Sequence, residues 1–257
     1  MLKIQQVSKY FGGVKAIHRV SFEVEQARIT GLIGPNGAGK TTLFNCITGI
    51  MPPTEGSIIF KDRPIETLPS HRINRMGIAR TFQNIRIFKE MTVLENVMTG
   101  AHSRLKCGLW PALFHSPGMR REQTELAENA LDLLAQVNLT PVRNQYAQNL
   151  PYGDQRRLEI ARALASVPDL LLLDEPAAGM NPTETTMLMN LIRSIRDRGI
   201  TILLIEHDMK LVMSICDSIV VLDHGEKIAE GTPGEIRKDQ RVIEAYLGIR
   251  HDEVMHA

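Results

Sequence analysis

Residues 34–42, GPNGAGKTT, set Gly34, Gly37 and Gly39 just ahead of Lys40, Thr41 and Thr42, with Pro35, Asn36 and Ala38 between the glycines. The spacing fits G-x-x-x-x-G-K-[ST] through Gly34, Gly39, Lys40 and Thr41. Glycines let backbone N–H groups curl round the β-phosphate of a nucleotide, a lysine reaches the β- and γ-phosphates, and a threonine hydroxyl can hold Mg²⁺. A chance glycine turn would satisfy the pattern without its context. Here the aliphatic run RITGLI leads in, and a helix from Lys40 to Thr48 leads out and stops at Gly49. A second run, DLLLLDEP from Asp169, ends in two adjacent carboxylates. Asp174 at the strand end is placed to reach the Mg²⁺ shell, and Glu175 to take a proton from an attacking water. The alternative for such a pair is solvated surface carboxylates or caps, which a phosphate loop in the same chain disfavours. A third run, TILLIEHD from Thr201, ends near His207. The chemistry implied is nucleotide hydrolysis with Mg²⁺.

A second place for an anion lies in NLPYGDQRRLEIARALA, residues 149–165. Leu158, Ile160, Ala161, Leu164 and Ala165 make an apolar stripe at helical spacing, with Arg156, Arg157 and Arg162 supplying charge. Pro151, Tyr152 and Gly153 open the helix with a turn that aims free N–H groups outward. One domain with two phosphate-binding turns needs an explanation.

The elements that must position these groups follow from the runs themselves. Aliphatic stretches without alternation suit strands buried on both faces of a parallel sheet, and ligands collect at the carboxyl ends of such strands. All three runs carry their polar residues at that end. LKIQQV, VSFEVE and GSIIF have strand length and partial alternation, which predicts an antiparallel β layer. Asn181 is placed to cap a helix beginning at Pro182 and ending before Gly199. The fold class expected is α/β: a mostly parallel core sheet, an N-terminal antiparallel layer and an α-helical subdomain. The whole of 1–257 reads as one domain, with the core at 1–83 and 169–232 and the helical subdomain at 84–168. An insertion at 102–121 interrupts that subdomain, and a short helical tail occupies 233–257. The insertion holds Trp110 and Phe114, which either dock a partner or cover the subdomain.

Composition limits the function classes. With 30 basic and 29 acidic residues the formal charge is +1, so no global field draws the chain to nucleic acid or anionic lipid. The apolar runs are too short to span a bilayer, and the N-terminus lacks a signal-peptide core. Cys46, Cys107 and Cys216 are far apart with no C-x-x-C, which argues for plain thiols in a reducing cytosol.

In this order, GPNGAGKTT, RTFQNIRIFKEMTVLENV, YGDQRRLEIARAL, LDEPAAGMNPTET, LLIEHDMKLVM and VIEAYLG resemble the ATP-binding subunit of ABC transporters over essentially the whole chain. The likeness is strongest to the longer of the two ATPase subunits of the high-affinity branched-chain amino acid importer. The resemblance implies further roles. Gln83 is similar to the Q-loop glutamine, a third Mg²⁺ or water contact beside Thr41 and Asp174. His207 is similar to the switch histidine at the γ-phosphate. Phe11, with Tyr10 as the alternative, would stack on adenine. Asn181 in AGMN holds the D-loop position, and Leu150, Pro151, Tyr152, Gly153 and Asp154 hold the signature position.

In this family two cassettes face head to tail, and each ATP lies between one chain's phosphate loop and the other's signature. The second anion site would thus serve the partner's γ-phosphate. The implied partners are a second ABC ATPase subunit (a heterodimer in preference to a homodimer), two transmembrane permease subunits and a periplasmic or extracellular substrate-binding protein. The implied location is peripheral, on the cytoplasmic face of the plasma membrane. Pro151 stands where the signature commonly has serine and offers neither hydroxyl nor N–H. Tyr152, Asp154 and Asn181 depart from the common glycine, glutamine and aspartate. These departures predict unequal turnover at the two sites, the one completed by this chain being slower. Three other readings remain at this stage: a cassette of another importer or lipopolysaccharide-type exporter, a soluble ABC protein on nucleic acid or ribosomes, and a regulator without turnover. The chain holds neither a second cassette nor a long coiled coil, and its balanced charge argues against nucleic acid.

Overall fold

The three aliphatic runs form the middle of a six-stranded sheet in the computed structural model, which describes residues 1–101 and 117–247. They are β3 (Ile29–Ile33), β7 (Leu170–Asp174) and β8 (Thr201–Ile205), each buried at every position. Alternate residues feed two cores. Leu171, Leu173, Ile202 and Leu204 pack into one, and Leu170, Leu172, Leu203 and Ile205 into the other. The lack of alternation in the sequence follows from this two-sided burial. Each fully buried leucine or isoleucine stabilises the fold by roughly 1.5–3 kcal/mol.

The large sheet has the order β10 (Glu226–Gly231), β9 (Ser218–Asp223), β3, β8, β7 and β6 (Ile78–Arg80). From β9 to β6 the strands are parallel, and β10 returns antiparallel on β9. Ile205 pairs with Leu32 on one side and with Asp174 on the other, so β3, β8 and β7 end nearly level. The chain leaving each strand therefore starts from one edge. β6 ends at Arg80, level with Leu172, and Gln83 follows three residues later.

On one face, α1 (Lys40–Ile47) lies between the large sheet and a smaller antiparallel one, β1 (Leu2–Phe11), β2 (Val14–Val24), β4 (Glu55–Phe60) and β5 (Arg63–Pro64), in the order β2-β1-β4-β5. Leu43, Phe44 and Ile47 join Leu2, Ile4, Phe22 and Phe60 in a single core there. α2 (Ser70–Arg75) leads into β6. The opposite core gathers α3 (Val93–Gly100), α4 (Pro117–Gln136), α5 (Tyr152–Leu164), α6 (Pro182–Asp197) and α7 (Met209–Ile215). α8 (Pro233–Ile236) and α9 (Gln240–Leu247) close the described chain.

Asn181 caps α6 as its position suggests. Its side chain accepts from the Glu184 N–H at 3.0 Å, Glu184 accepts from the Asn181 N–H at 2.9 Å, and Pro182 takes the first helical position. Thr92 and Glu95 form the same reciprocal cap on α3, a pattern the sequence reading did not single out. Residues 117–121, placed in the insertion from sequence, belong to α4. Trp110 and Phe114 lie outside the described residues, as does Cys107; Cys46 and Cys216 are buried free thiols.

Candidate nucleotide site

Residues 34–42 join β3 to α1, as the spacing requires. Gly34 and Gly39 have φ of 149° and 95°. A Cβ would lie 2.0 Å from the Leu222 carbonyl at Gly34 and 2.3 Å from the Ala16 carbonyl at Gly39, so neither position accepts a side chain. Gly39 caps α1 without a side-chain hydrogen bond, leaving the helix N-terminus open to an anion. Lys40 is buried, and its Nζ donates to the carbonyls of Gly34 at 2.7 Å and Pro35 at 2.9 Å. The ammonium thus folds over its own loop. Burial holds its pKa below the ordinary lysine value, against the pull of Glu175 and Asp174.

Asp174 ends β7, almost wholly buried. Its Oδ2 accepts from Arg80 at 2.8 Å, and its Oδ1 has no hydrogen-bond partner. Burial pushes the carboxyl pKa up, and the Arg80 guanidinium pulls it back down. Asp174 and the exposed Thr41 line one cleft. An orphaned, buried carboxylate oxygen beside a phosphate loop fits Mg²⁺, which uses one or two protein oxygens and takes the rest from phosphates and water. Among the described residues no group of three or more His, Cys, Asp and Glu side chains could hold a metal unaided.

Glu175 has φ of 47°, and its N–H donates to Ile205 O at 2.9 Å. This reversal turns its side chain away from the sheet interior that holds Asp174. Glu175 Oε2 accepts from Gln83 Nε2 at 2.8 Å and lies 4.0 Å from His207 Nδ1. The His207 side chain is 62% exposed. Below it the buried Glu206 accepts from Ala177 N–H at 2.8 Å and from His207 N–H at 3.2 Å, tying the turn after β7 to the turn after β8. Burial raises the Glu206 pKa. Carboxylate, amide and imidazole therefore converge at the sheet edge, an arrangement that can orient a water and accept its proton.

Phe11 ends β1 and is 48% exposed, with the Lys9 ammonium 5.4 Å from its ring centre. Its partner strand β2 supplies the Ala16 carbonyl that abuts Gly39. Tyr10 is engaged instead by His18, with 3.1 Å between its hydroxyl and Nδ1. Of the two aromatics, Phe11 is the one with a free face.

The segment 150–154 is not brought to this chain's own phosphate loop. Leu150 is buried, Pro151 caps α5 without a side-chain bond, and Tyr152, Gly153 and Asp154 form its first turn. Tyr152 lies against Gly179, Gly153 lies beneath the Glu184 carboxylate, and Asp154 pairs with Arg157. The Tyr152 and Gly153 N–H groups have no helical carbonyl to bond, as for any first turn. The Asn181 side chain is occupied by its cap.

The sequence does not show the part that three further residues play at the site. Arg156 is fully buried and donates to the Phe82 and Gln83 carbonyls at 2.6 and 2.7 Å and to Glu159 at 2.9 Å. Its signal was a charge four residues before Ile160, on the apolar stripe. Arg80 pairs with Asp174, and the Gly34 backbone holds down the phenol pKa of Tyr246 in α9 against the rise that burial imposes. Neither contact leaves a mark in local spacing.

A phosphate loop, an Asp–Glu pair and a strand-end histidine on one edge of a parallel sheet define a P-loop nucleotide hydrolase. Comparison with known proteins narrows the class. The family described as ABC transporter matches residues 17–178, and the family described as branched-chain amino acid ATP-binding cassette transporter matches residues 226–252. The chain is 51% identical to the high-affinity branched-chain amino acid transport ATP-binding protein LivG of Salmonella typhimurium, over 96% of this chain and 98% of that protein. It is 49% identical to the corresponding protein BraF of Pseudomonas aeruginosa, with the same coverage. A crystal structure of the ADP conformation of an ATP-binding cassette of an ABC transporter superposes with a TM-score of 0.83 at 33% identity, covering 96% of this chain and 98% of that one. The chain belongs to the ABC transporter family, as a nucleotide-binding ATPase cassette. No helix among the described residues is long and apolar enough to cross a membrane.

Proposed function

We propose that this cassette hydrolyses ATP to drive a branched-chain amino acid importer, working with a second ATPase subunit, two permease subunits and a substrate-binding protein at the cytoplasmic membrane face. The observation that carries the hydrolytic reading is the contact of Gln83 with Glu175 at 2.8 Å, with His207 4.0 Å from the same carboxylate. The match of residues 226–252 to a branched-chain amino acid cassette family supports the substrate class over an exporter.

In this reading Gly34–Thr42 wraps the phosphates, and Lys40 exchanges its two carbonyl partners for phosphate oxygens. Phe11 stacks on the base. Thr41, Asp174 and Gln83 would hold Mg²⁺, which would supply positive charge to offset that of the phosphates. Glu175 accepts the proton of the attacking water, and His207 holds the water and γ-phosphate in line. Leu150–Asp154 offers the α5 N-terminus to the partner's γ-phosphate, where the helix dipole contributes about half a positive charge. A heterodimeric partner fits best, because Pro151 and Asp154 make a weaker phosphate site than the common signature.

The test is transport. Expressed with its permeases, second ATPase and binding protein in a host deficient in leucine, isoleucine and valine uptake, the wild-type chain restores uptake and Lys40→Ala does not. ATP hydrolysis unresponsive to amino-acid-loaded binding protein, with no restored uptake, would overturn the substrate assignment.

A further inference from the structure

Arg80 opens the RTFQN stretch, and no role has been given to it so far beyond its pairing with Asp174. Its guanidinium bonds Asp174 Oδ2 at 2.8 Å, with the two side chains 6% and 2% exposed. The same group donates to Asn45 Oδ1 on α1 at 2.6 Å and to Oγ1 of Thr48, the residue that caps the end of α1, at 3.4 Å. Its centre lies 5.4 Å from the Phe44 ring and 5.1 Å from the Phe82 ring. Three elements therefore hold one side chain: the phosphate-loop helix, the end of β7 and the segment leading to Gln83.

We infer that Arg80 is a positioning residue for the metal, fixing Asp174 by one oxygen so that the other is left without a protein partner at the cleft that Asp174 and Thr41 line. The inference rests on the Mg²⁺ site proposed above and deepens it. A carboxylate has two equivalent oxygens and rotates freely unless one is bound. Here Oδ2 is bound and Oδ1 is buried without a partner. A fixed carboxylate presents one oxygen in one direction, which Mg²⁺ requires because it tolerates little departure from octahedral geometry. The planar fork of arginine reaches Asp174 with one nitrogen and Asn45 with the other. Lysine, a point charge, cannot span both. The two-sided anchorage also links the metal ligand to α1, so that phosphate loop and aspartate keep a constant separation.

The test measures fluorescent-ATP affinity of the isolated cassette in EDTA and in saturating Mg²⁺, and takes the ratio as the metal increment. The wild type gains affinity with Mg²⁺. Arg80→Met is expected to bind as the wild type does in EDTA and to need roughly 10- to 100-fold more Mg²⁺ for half its effect, the usual cost of losing an outer partner of a metal ligand. Arg80→Lys should fall between the two, and Asn45→Ala should shift the Mg²⁺ requirement in the same direction by less. These two milder variants carry the test if Arg80→Met does not fold. A purely structural role would instead weaken binding equally in EDTA and in Mg²⁺, or leave the Mg²⁺ requirement unchanged in every folded variant. Either result overturns the inference. A wild type with no metal increment at all would overturn the metal site itself.

Discussion

Asp174 and Glu175 are neighbours in sequence with opposite surroundings. Asp174 continues the strand and is buried against Arg80, whereas Glu175, at φ 47°, points to the sheet edge with its side chain 19% exposed. A non-glycine residue in the left-handed region costs about 1–2 kcal/mol, and the hydrogen bond from its N–H to Ile205 holds it there. Strain of this kind at a strand end separates two carboxylates into two tasks. Glu175→Gln keeps the backbone turn and retains an oxygen for Gln83, while removing the proton acceptor. Phosphate release should fall roughly 10²- to 10⁴-fold, with nucleotide affinity changed by less than about twofold since the phosphate loop is untouched. Undiminished release would transfer proton acceptance to His207. The pair and the task expected of each carboxylate are legible in the sequence; the dihedral angle that turns Glu175 away from Asp174 is not.

Elements differ in how much of themselves they write into the sequence. β3, β7 and β8 were readable because burial on both faces removes polar residues from the whole run. β6 was not readable, since Ile78, Ala79 and Arg80 are too few to establish a period. α5 is legible as a helix, but the sequence does not separate Arg156, which points inward to the backbone of residues 82 and 83, from Arg157 and Arg162. Glu159 completes the clamp, accepting from the N–H groups of Phe82 and Arg86 at 3.3 Å. The segment carrying Gln83 is thereby hydrogen-bonded to the helix that begins at Tyr152. Arg156→Ala would leave Glu159 buried without its cation and two carbonyls without donors, a loss of roughly 3–5 kcal/mol. Thermal unfolding should register it as a fall of roughly 2–4 °C in Tm per kcal/mol, and amide exchange should accelerate at Phe82 and Arg86. A Tm close to that of the wild type, with both amides still protected, would show that the clamp contributes little.

At the scale of the molecule, the head-to-tail assembly proposed above makes the site of one chain half of a composite one. The phosphate loop, Asp174, Glu175, Gln83 and His207 share one sheet edge, while the α5 N-terminus lies against residues 179–184 and addresses nothing in its own chain's loop. In that proposal two copies, or this chain and a related one, placed head to tail would give each loop the α5 N-terminus of the other. Tyr152→Glu distinguishes this arrangement from a signature that acts within its own chain. A glutamate in the first turn suits the dipole of its own helix by roughly 0.3–1 kcal/mol, which offsets part of the lost ring contact with Gly179, so the isolated chain should stay folded. It should also bind ATP within about twofold of the wild-type affinity, because the substitution is remote from residues 34–42. Facing a partner's γ-phosphate at ~5 Å, the same carboxylate meets a repulsion of about 3 kcal/mol at an effective dielectric near 20. In an assembled transporter carrying Glu175→Gln on this chain, the hydrolysis that remains belongs to the partner's loop. Adding Tyr152→Glu should abolish that remainder. Tyr152→Glu alone should spare more activity, since this chain's loop is completed by the partner's signature. Weakened ATP binding to the isolated Tyr152→Glu chain would mean instead that the motif serves its own nucleotide, and the head-to-tail arrangement would fall.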